Sequence, residues 1–127
     1  MNPTFAPMLK IPKGVTKIDF YTNALGAVEH FHLTNDDGSI HVAEFSLEGA
    51  IFHLHEETIY STARCPGTAG TTTVVIGLFV EDVHAFVARA EAAGATVISP
   101  VQDYDYGYRQ GTFVDPFGHH WQIQKKI

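Results

Sequence analysis

Apolar and polar positions fall into two successions of the same kind along the chain. Met8-Leu9-Lys10-Ile11 has the pattern of a short strand, broken by Pro12-Lys13-Gly14. Val15, Ile18, Tyr21 and Leu25 then recur at helical spacing, which predicts a helix stopped by Gly26. Val28 to Leu33 and Ile40 to Leu47 are predicted strands around the turn Asn35-Asp36-Asp37-Gly38, and Ala50 to His55 is a third after Glu48-Gly49. The first unit is strand, helix and three strands.

The same order returns after Thr58 to Thr72, a Ser-, Thr-, Gly- and Pro-containing stretch expected to be an exposed connection. Val74 to Val80 is an apolar strand and Asp82 a candidate N-cap. Val83, Phe86, Val87 and Ala90 form the buried stripe of a helix ended by Gly94. Thr96 to Ser99, Gly111 to Val114 and His120 to Lys125 complete the unit. Ala24-Leu25-Gly26-Ala27 aligns with Ala92-Ala93-Gly94-Ala95 at an offset of 68, and Ala50 to His55 aligns with His119 to Gln124 at 69. Agreement of element order, helix end and final strand at nearly constant offset indicates duplication. The expectation is one α+β domain over residues 1–127: module one at about 5–57, a connection at 58–72 and module two at about 73–127, each a βαβββ unit.

Strand side chains alternate between faces, so Phe52, Leu54, Trp121 and Ile123 belong to one face. His53, His55, His120, Gln122 and Gln124 belong to the other. That second face is more polar than a dry core tolerates, because each buried imidazole or amide needs a partner. A wet concave surface shared by the two halves is expected, against the alternative of a face simply turned to solvent. His30, His32 and His41 also alternate, but they have no counterpart in the second half and read as sheet-surface residues. His84 falls on the exposed side of the second helix.

Composition narrows the partners. With 45% hydrophobic and 17% charged residues in 127, one domain can bury its own core. The net charge of −6 is unrelieved by any basic run beyond Lys125-Lys126, which argues against nucleic acid. No apolar run is long enough to span a membrane, and Met1-Asn2-Pro3-Thr4 lacks the regions of a secretion signal, so a cytoplasmic protein is expected. Cys65 is the only cysteine and has no evident catalytic partner nearby in sequence.

Two segments near the end carry further signals. Asp115-Pro116-Phe117-Gly118 suits a type I turn leading into His119-His120-Trp121. Asp103-Tyr104-Asp105-Tyr106-Gly107-Tyr108-Arg109 concentrates aromatics, acids and one guanidinium in an expected loop. The tyrosines offer flat apolar contact with a polar tip, and Arg109 either holds an anionic group or pairs with Asp103 or Asp105.

Taken together, Ile18-Asp19-Phe20-Tyr21, Leu25-Gly26-Ala27, Val80-Glu81-Asp82-Val83, Ala92-Ala93-Gly94-Ala95, Tyr106-Gly107-Tyr108-Arg109 and Asp115 to Trp121 resemble the vicinal oxygen chelate superfamily, closest to its PhnB-like, glyoxalase/bleomycin-resistance branch. The resemblance implies two βαβββ modules forming an incomplete barrel around a cup, usually in a homodimer. Metal-dependent members take four ligands from the first and last strands of the modules. Placed by motif, those positions are Ala6, His53, Val75 and Gln122, of which only His53 and Gln122 are donors. A catalytic transition metal normally has at least three protein ligands. No cofactor is therefore expected; the alternative is a divalent Zn, Ni, Mn or Fe on His53 and Gln122, with His55 and His120 on the same faces. The leading expectation is a metal-free small-molecule-binding protein, with Tyr104, Tyr106, Tyr108 and Arg109 at the rim and His53, His55, His120 and Gln122 inside. The other is a lyase or isomerase, metal-assisted or using His53 as a general base.

Overall fold

A computed structural model describes all 127 residues. Its elements are β1 (Met8–Ile11), α1 (Phe20–Leu25), β2 (Val28–Thr34), β3 (Ile40–Leu47), β4 (Ala50–Glu56), α2 (Pro66–Ala69), β5 (Val75–Phe79), α3 (Val83–Ala92), β6 (Thr96–Tyr104), β7 (Tyr108–Val114) and β8 (His120–Lys126). They form two four-stranded sheets of matching topology, β1-β4-β3-β2 and β5-β8-β7-β6. In each, the first strand runs parallel to the last and the other pairings are antiparallel. The fold is α+β, with two βαβββ modules and no closed barrel within the chain.

The helix ends follow from local chemistry. Asp82 Oδ1 accepts the Ala85 amide at 3.0 Å, the side-chain cap its position predicts. The first helix is shorter than its apolar spacing suggests. Val15 and Ile18 precede it, and it closes at Gly26, whose φ of 69° suits a residue without a Cβ. Arg89 of α3 donates from Nε to the Asn23 carbonyl at 2.8 Å, placing a cation on the carbonyl end of α1. The two helices are thereby tied to each other.

What fixes the modules together is a single core. Leu9, Ile11, Phe45, Phe52 and Leu54 of the first sheet share one cluster with Phe113, Trp121 and Ile123 of the second and with α1 and α3. Tyr21, fully buried, packs on Phe45 and Phe52 from one side and on Phe117 and Trp121 from the other. Phe52 and Trp121 meet edge to face at 5.6 Å. The apolar faces of the two sheets thus look toward each other. Their opposite faces are turned outward, away from one another.

Three further local features depart from the sequence-based expectation. The connection at 58–72 contains the short helix α2 beside a buried Cys65, whose amide donates to Glu57 Oε1 at 2.7 Å. The strands β6 and β7 extend to Tyr104 and Tyr108, so the aromatic segment is a tight hairpin and not a loop. Gly107, with φ 90°, makes that turn. Finally, β2 carries a bulge at His30: Glu29 pairs with Phe45 and Phe31 with Glu44, leaving His30 as the extra residue.

Candidate functional site

Register assigns each candidate side chain to a face. On the first sheet, Met8, His53 and Glu44 stand side by side, followed by Lys10, His55 and Val42. This is the outward face. On the second, Val75, His120 and Val114 align, then Gly77, Gln122 and Thr112, then Phe79, Gln124 and Gln110. His53, His55, His120 and Gln122 therefore lie on outward faces, as their alternation predicts. They do not form one site within the chain, because the faces of the two sheets point in opposite directions.

The bulge at His30 changes the composition of the first face. It brings His30 alongside Glu44 and shifts the phase of β2, so that Phe31 and Leu33 join the same side while His32 pairs with Ala43. Glu44 Oε2 lies 2.8 Å from His30 Nδ1, and Glu44 Oε1 lies 3.0 Å from His53 Nε2. Hydrogen bonds from His53 and then His30 hold the Glu44 carboxyl below the usual carboxylate range. His30 Nε2 also meets Ser46 Oγ at 2.7 Å. At the far end of the sheet His55 contacts the Glu56 carbonyl at 2.7 Å and lies edge-on to His41. Alternation assigns His30 to the sheet surface without a role and does not single out Glu44, whose place opposite His53 is set by strand register.

The second face is rich in amides and aromatics, with Lys126 at its end beside Tyr108. Tyr106 Oη donates to Gln110 Oε1, Gln110 donates to Gln124 Oε1 at 2.9 Å, and Gln122 donates to the same oxygen at 3.2 Å. Tyr104 stacks on Tyr106, Tyr106 leans on Tyr108, and Phe79 adjoins Tyr108. Arg109 is the exception among the expected rim residues. It points to the opposite face from Tyr108 and forms a forked pair with Asp103 at 2.7 and 3.2 Å, the second of the two roles open to it. That pairing lowers the Asp103 carboxyl and raises the guanidinium.

The metal arrangement of the fold does not fit these residues. Ala6 precedes β1; the first-strand residue beside His53 is Met8, and the one beside Gln122 is Gly77, Val75 being beside His120. Neither Met8 nor Gly77 offers a nitrogen or oxygen side-chain ligand. His53 Nε2 is turned to Glu44, and no group of three or more His, Cys, Asp or Glu is arranged to hold a metal ion.

The outward faces are shallow in the single chain. Its main clefts lie at the seams: one of about 700 Å³ between residues 5–10 and 71–77, another of about 870 Å³ where the Leu47-Glu48 turn approaches β5, α3 and Lys125. The faces also expose apolar side chains. Met8 is 66% exposed, Leu33 54%, Phe31 46%, Val75 50% and Phe79 64%. No helix is long and apolar enough to cross a membrane.

This architecture has known counterparts. The profile of the glyoxalase/bleomycin resistance protein/dioxygenase superfamily matches residues 16–123, and the chain belongs to that superfamily. Proteins described as uncharacterized from Mycobacterium bovis and Mycobacterium tuberculosis are 34% identical over 130 residues, covering 100% of this chain and 86% and 76% of theirs. Among solved structures, TioX from Micromonospora superposes with a TM-score of 0.73 at 24% identity, over 98% of this chain and 100% of that one. A gene product of Arabidopsis thaliana gives 0.74 at 25%, with the same coverage. The fosfomycin resistance protein FosX of Listeria monocytogenes gives 0.70 at 16%, over 100% of this chain and 95% of its own.

Proposed function

We propose that this chain is a cytoplasmic, homodimeric small-molecule-binding protein of the PhnB-like branch, acting without a resident metal. In this reading the His53 face of one chain closes over the Gln122 face of a second, giving two equivalent cups. One observation carries it: the two polar faces point away from each other while exposing Met8, Phe31, Leu33, Val75 and Phe79. Apolar groups gathered on an outward sheet face mark a surface that another surface covers. Each closed cup combines a charged wall, Glu44 with His30 and His53, and an amide-rich wall of Gln110, Gln122, Gln124 and tyrosines. A flat, partly aromatic molecule with hydrogen-bonding edges suits such walls, its rings against the Tyr104 to Tyr108 hairpin and its polar groups on the amides.

Light scattering after size exclusion, combined with calorimetric titration of a panel of planar amphipathic molecules, tests the reading. The expected results are a dimer mass and binding lost in Gln122→Leu. A monomer at micromolar concentration, or binding indifferent to both His53→Ala and Gln122→Leu, overturns it. Trp121 is no reporter of the cup, since its ring lies in the core.

A second reading, a lyase or isomerase using His53 as general base, draws support from Glu44. With the ionised carboxylate accepting from Nε2–H, His53 Nδ1 is left as the basic nitrogen. Proton exchange at a carbon of a bound ligand, followed by deuterium uptake and abolished by His53→Ala, is the distinguishing measurement.

A further inference from the structure

Ser46, His30 and Glu44 form a connected series on the outward face of the first sheet. Ser46 Oγ lies 2.7 Å from His30 Nε2, and His30 Nδ1 lies 2.8 Å from Glu44 Oε2. The strand pattern creates the juxtaposition: Ser46 and Glu44 stand two apart on β3, and the bulge of β2 swings His30 over both. An ionised carboxylate only accepts, so the His30 nitrogen facing Glu44 carries a hydrogen. In the neutral ring the other nitrogen, Nε2, is then a lone-pair acceptor. The Ser46 hydroxyl donates to it.

Hydroxyl, imidazole and carboxylate in this order are the connectivity by which hydrolases activate serine, recognisable by geometry and not by fold. Ser46 is 7% exposed, which keeps its hydroxyl largely out of bulk water, while the His30 side chain is 37% exposed and can exchange protons with solvent or a leaving group. Glu44 does not move freely, because its other oxygen is held by His53 at 3.0 Å.

We propose that Ser46 is a nucleophile, activated by His30 and oriented through Glu44, that accepts the acyl group of small activated carboxylic esters. Ser46 Oγ bonds to the carbonyl carbon as its proton passes to His30 Nε2. The adduct collapses by breaking the bond to the leaving oxygen, which takes the proton from His30. Water then attacks the acyl carbon, its proton accepted by the same nitrogen, and the acid leaves as Ser46 recovers its hydrogen. The sum is ester plus water giving acid plus alcohol. This activity goes beyond ligand binding and requires neither a metal nor the second chain.

The experiment uses the full chain with p-nitrophenyl acetate. Expected are a burst of nitrophenolate, a mass gain of one acetyl group, and its location on Ser46 by peptide mass spectrometry. Ser46→Ala removes the burst, and His30→Gln and Glu44→Gln slow it, the former by about a hundredfold or more, the contribution typical of a general base. Nitrogen NMR of wild-type protein adds an arm independent of reagent size and variant folding, with His30 expected as the Nδ1–H tautomer. Acetylation found only on lysines or other histidines overturns the proposal, as does no acetylation at all. An unchanged rate in His30→Gln, or a His30 protonated at Nε2 alone, overturns it equally.

Discussion

The Tyr21 hydroxyl donates to Asp115 Oδ2 over 2.6 Å, joining the helix of one module to the turn of the other in the middle of the core. Asp115 is 4% exposed and has no cation beside it. Four donors satisfy it instead: Tyr21, the Trp121 indole at 3.0 Å, and the amides of Phe117 and His119 at 2.9 and 3.0 Å. The same residue that starts the predicted type I turn therefore fastens the modules. Asp115→Ala leaves the Tyr21 and Trp121 donors buried without an acceptor, at about 1–3 kcal/mol each. Urea denaturation is expected to show a loss of about 2–6 kcal/mol, larger than for Tyr21→Phe.

Alkaline pH probes the same contact. Burial first, then the Asp115 charge and hydrogen bond, push the Tyr21 hydroxyl well above its ordinary value of 10.0. The folded state keeps this proton where the unfolded state gives it up. The stabilisation is complete below about pH 10 and is lost as pH rises from there toward the folded value. Tyr21→Phe has no such proton, so the stability gap between wild type and Tyr21→Phe is expected to shrink above pH 10. Denaturation of both proteins across that range measures it, and a gap that widens refutes the assignment.

Gly111 on β7 is the tightest position for a methyl group. A Cβ there meets Val101 Cγ2 at 2.7 Å and the Val101 backbone at 3.3 Å, and the latter cannot rotate away. Gly111→Ala is expected to cost about 1–3 kcal/mol by overpacking, read from the midpoint of chemical denaturation.

Gly77 offers the contrasting case. An added Cβ approaches only Gln124 Nε2, at 3.0 Å, the movable end of a side chain. Gly77→Ala is expected to keep most of the stability but to disturb Gln124, the acceptor shared by Gln110 and Gln122. Calorimetry should report weakened ligand binding with little change in melting temperature. Equal losses in both would point to a purely structural role.

Arg109→Ala separates the two faces of the aromatic hairpin. The guanidinium pairs with Asp103 on the side away from Tyr108, so its removal is expected to leave ligand affinity unchanged, whereas Tyr106→Ala weakens it. A comparable loss of affinity in both variants would return Arg109 to the binding surface.

Much of this architecture was legible because it repeats. The strand pattern, the Gly26 and Gly94 helix ends and the assignment of His53 and Gln122 to the polar face all follow from local periodicity. The rest depends on events that periodicity does not encode. One extra residue at His30 inverts the phase of β2, turning Phe31 and Leu33 outward and bringing His30 to Glu44 and Ser46. The length of β6 and β7 depends on pairing beyond Ser99, which places Arg109 opposite Asp103. Above all, Tyr21 binds both sheets to one core, and that tertiary choice sends His53 and Gln122 to opposite sides.

That back-to-back arrangement has a genetic corollary in the proposed dimer. A cup takes its His53 wall from one chain and its Gln122 wall from the other, so damage to the two walls segregates when different alleles are mixed. A subunit carrying His53→Ala and a subunit carrying Gln122→Leu, each inert alone, together contain one cup in which both walls are intact and one in which both are broken. Coexpression of the two should restore binding at one site per mixed dimer, an interallelic complementation that a pocket enclosed within a single polypeptide would never display.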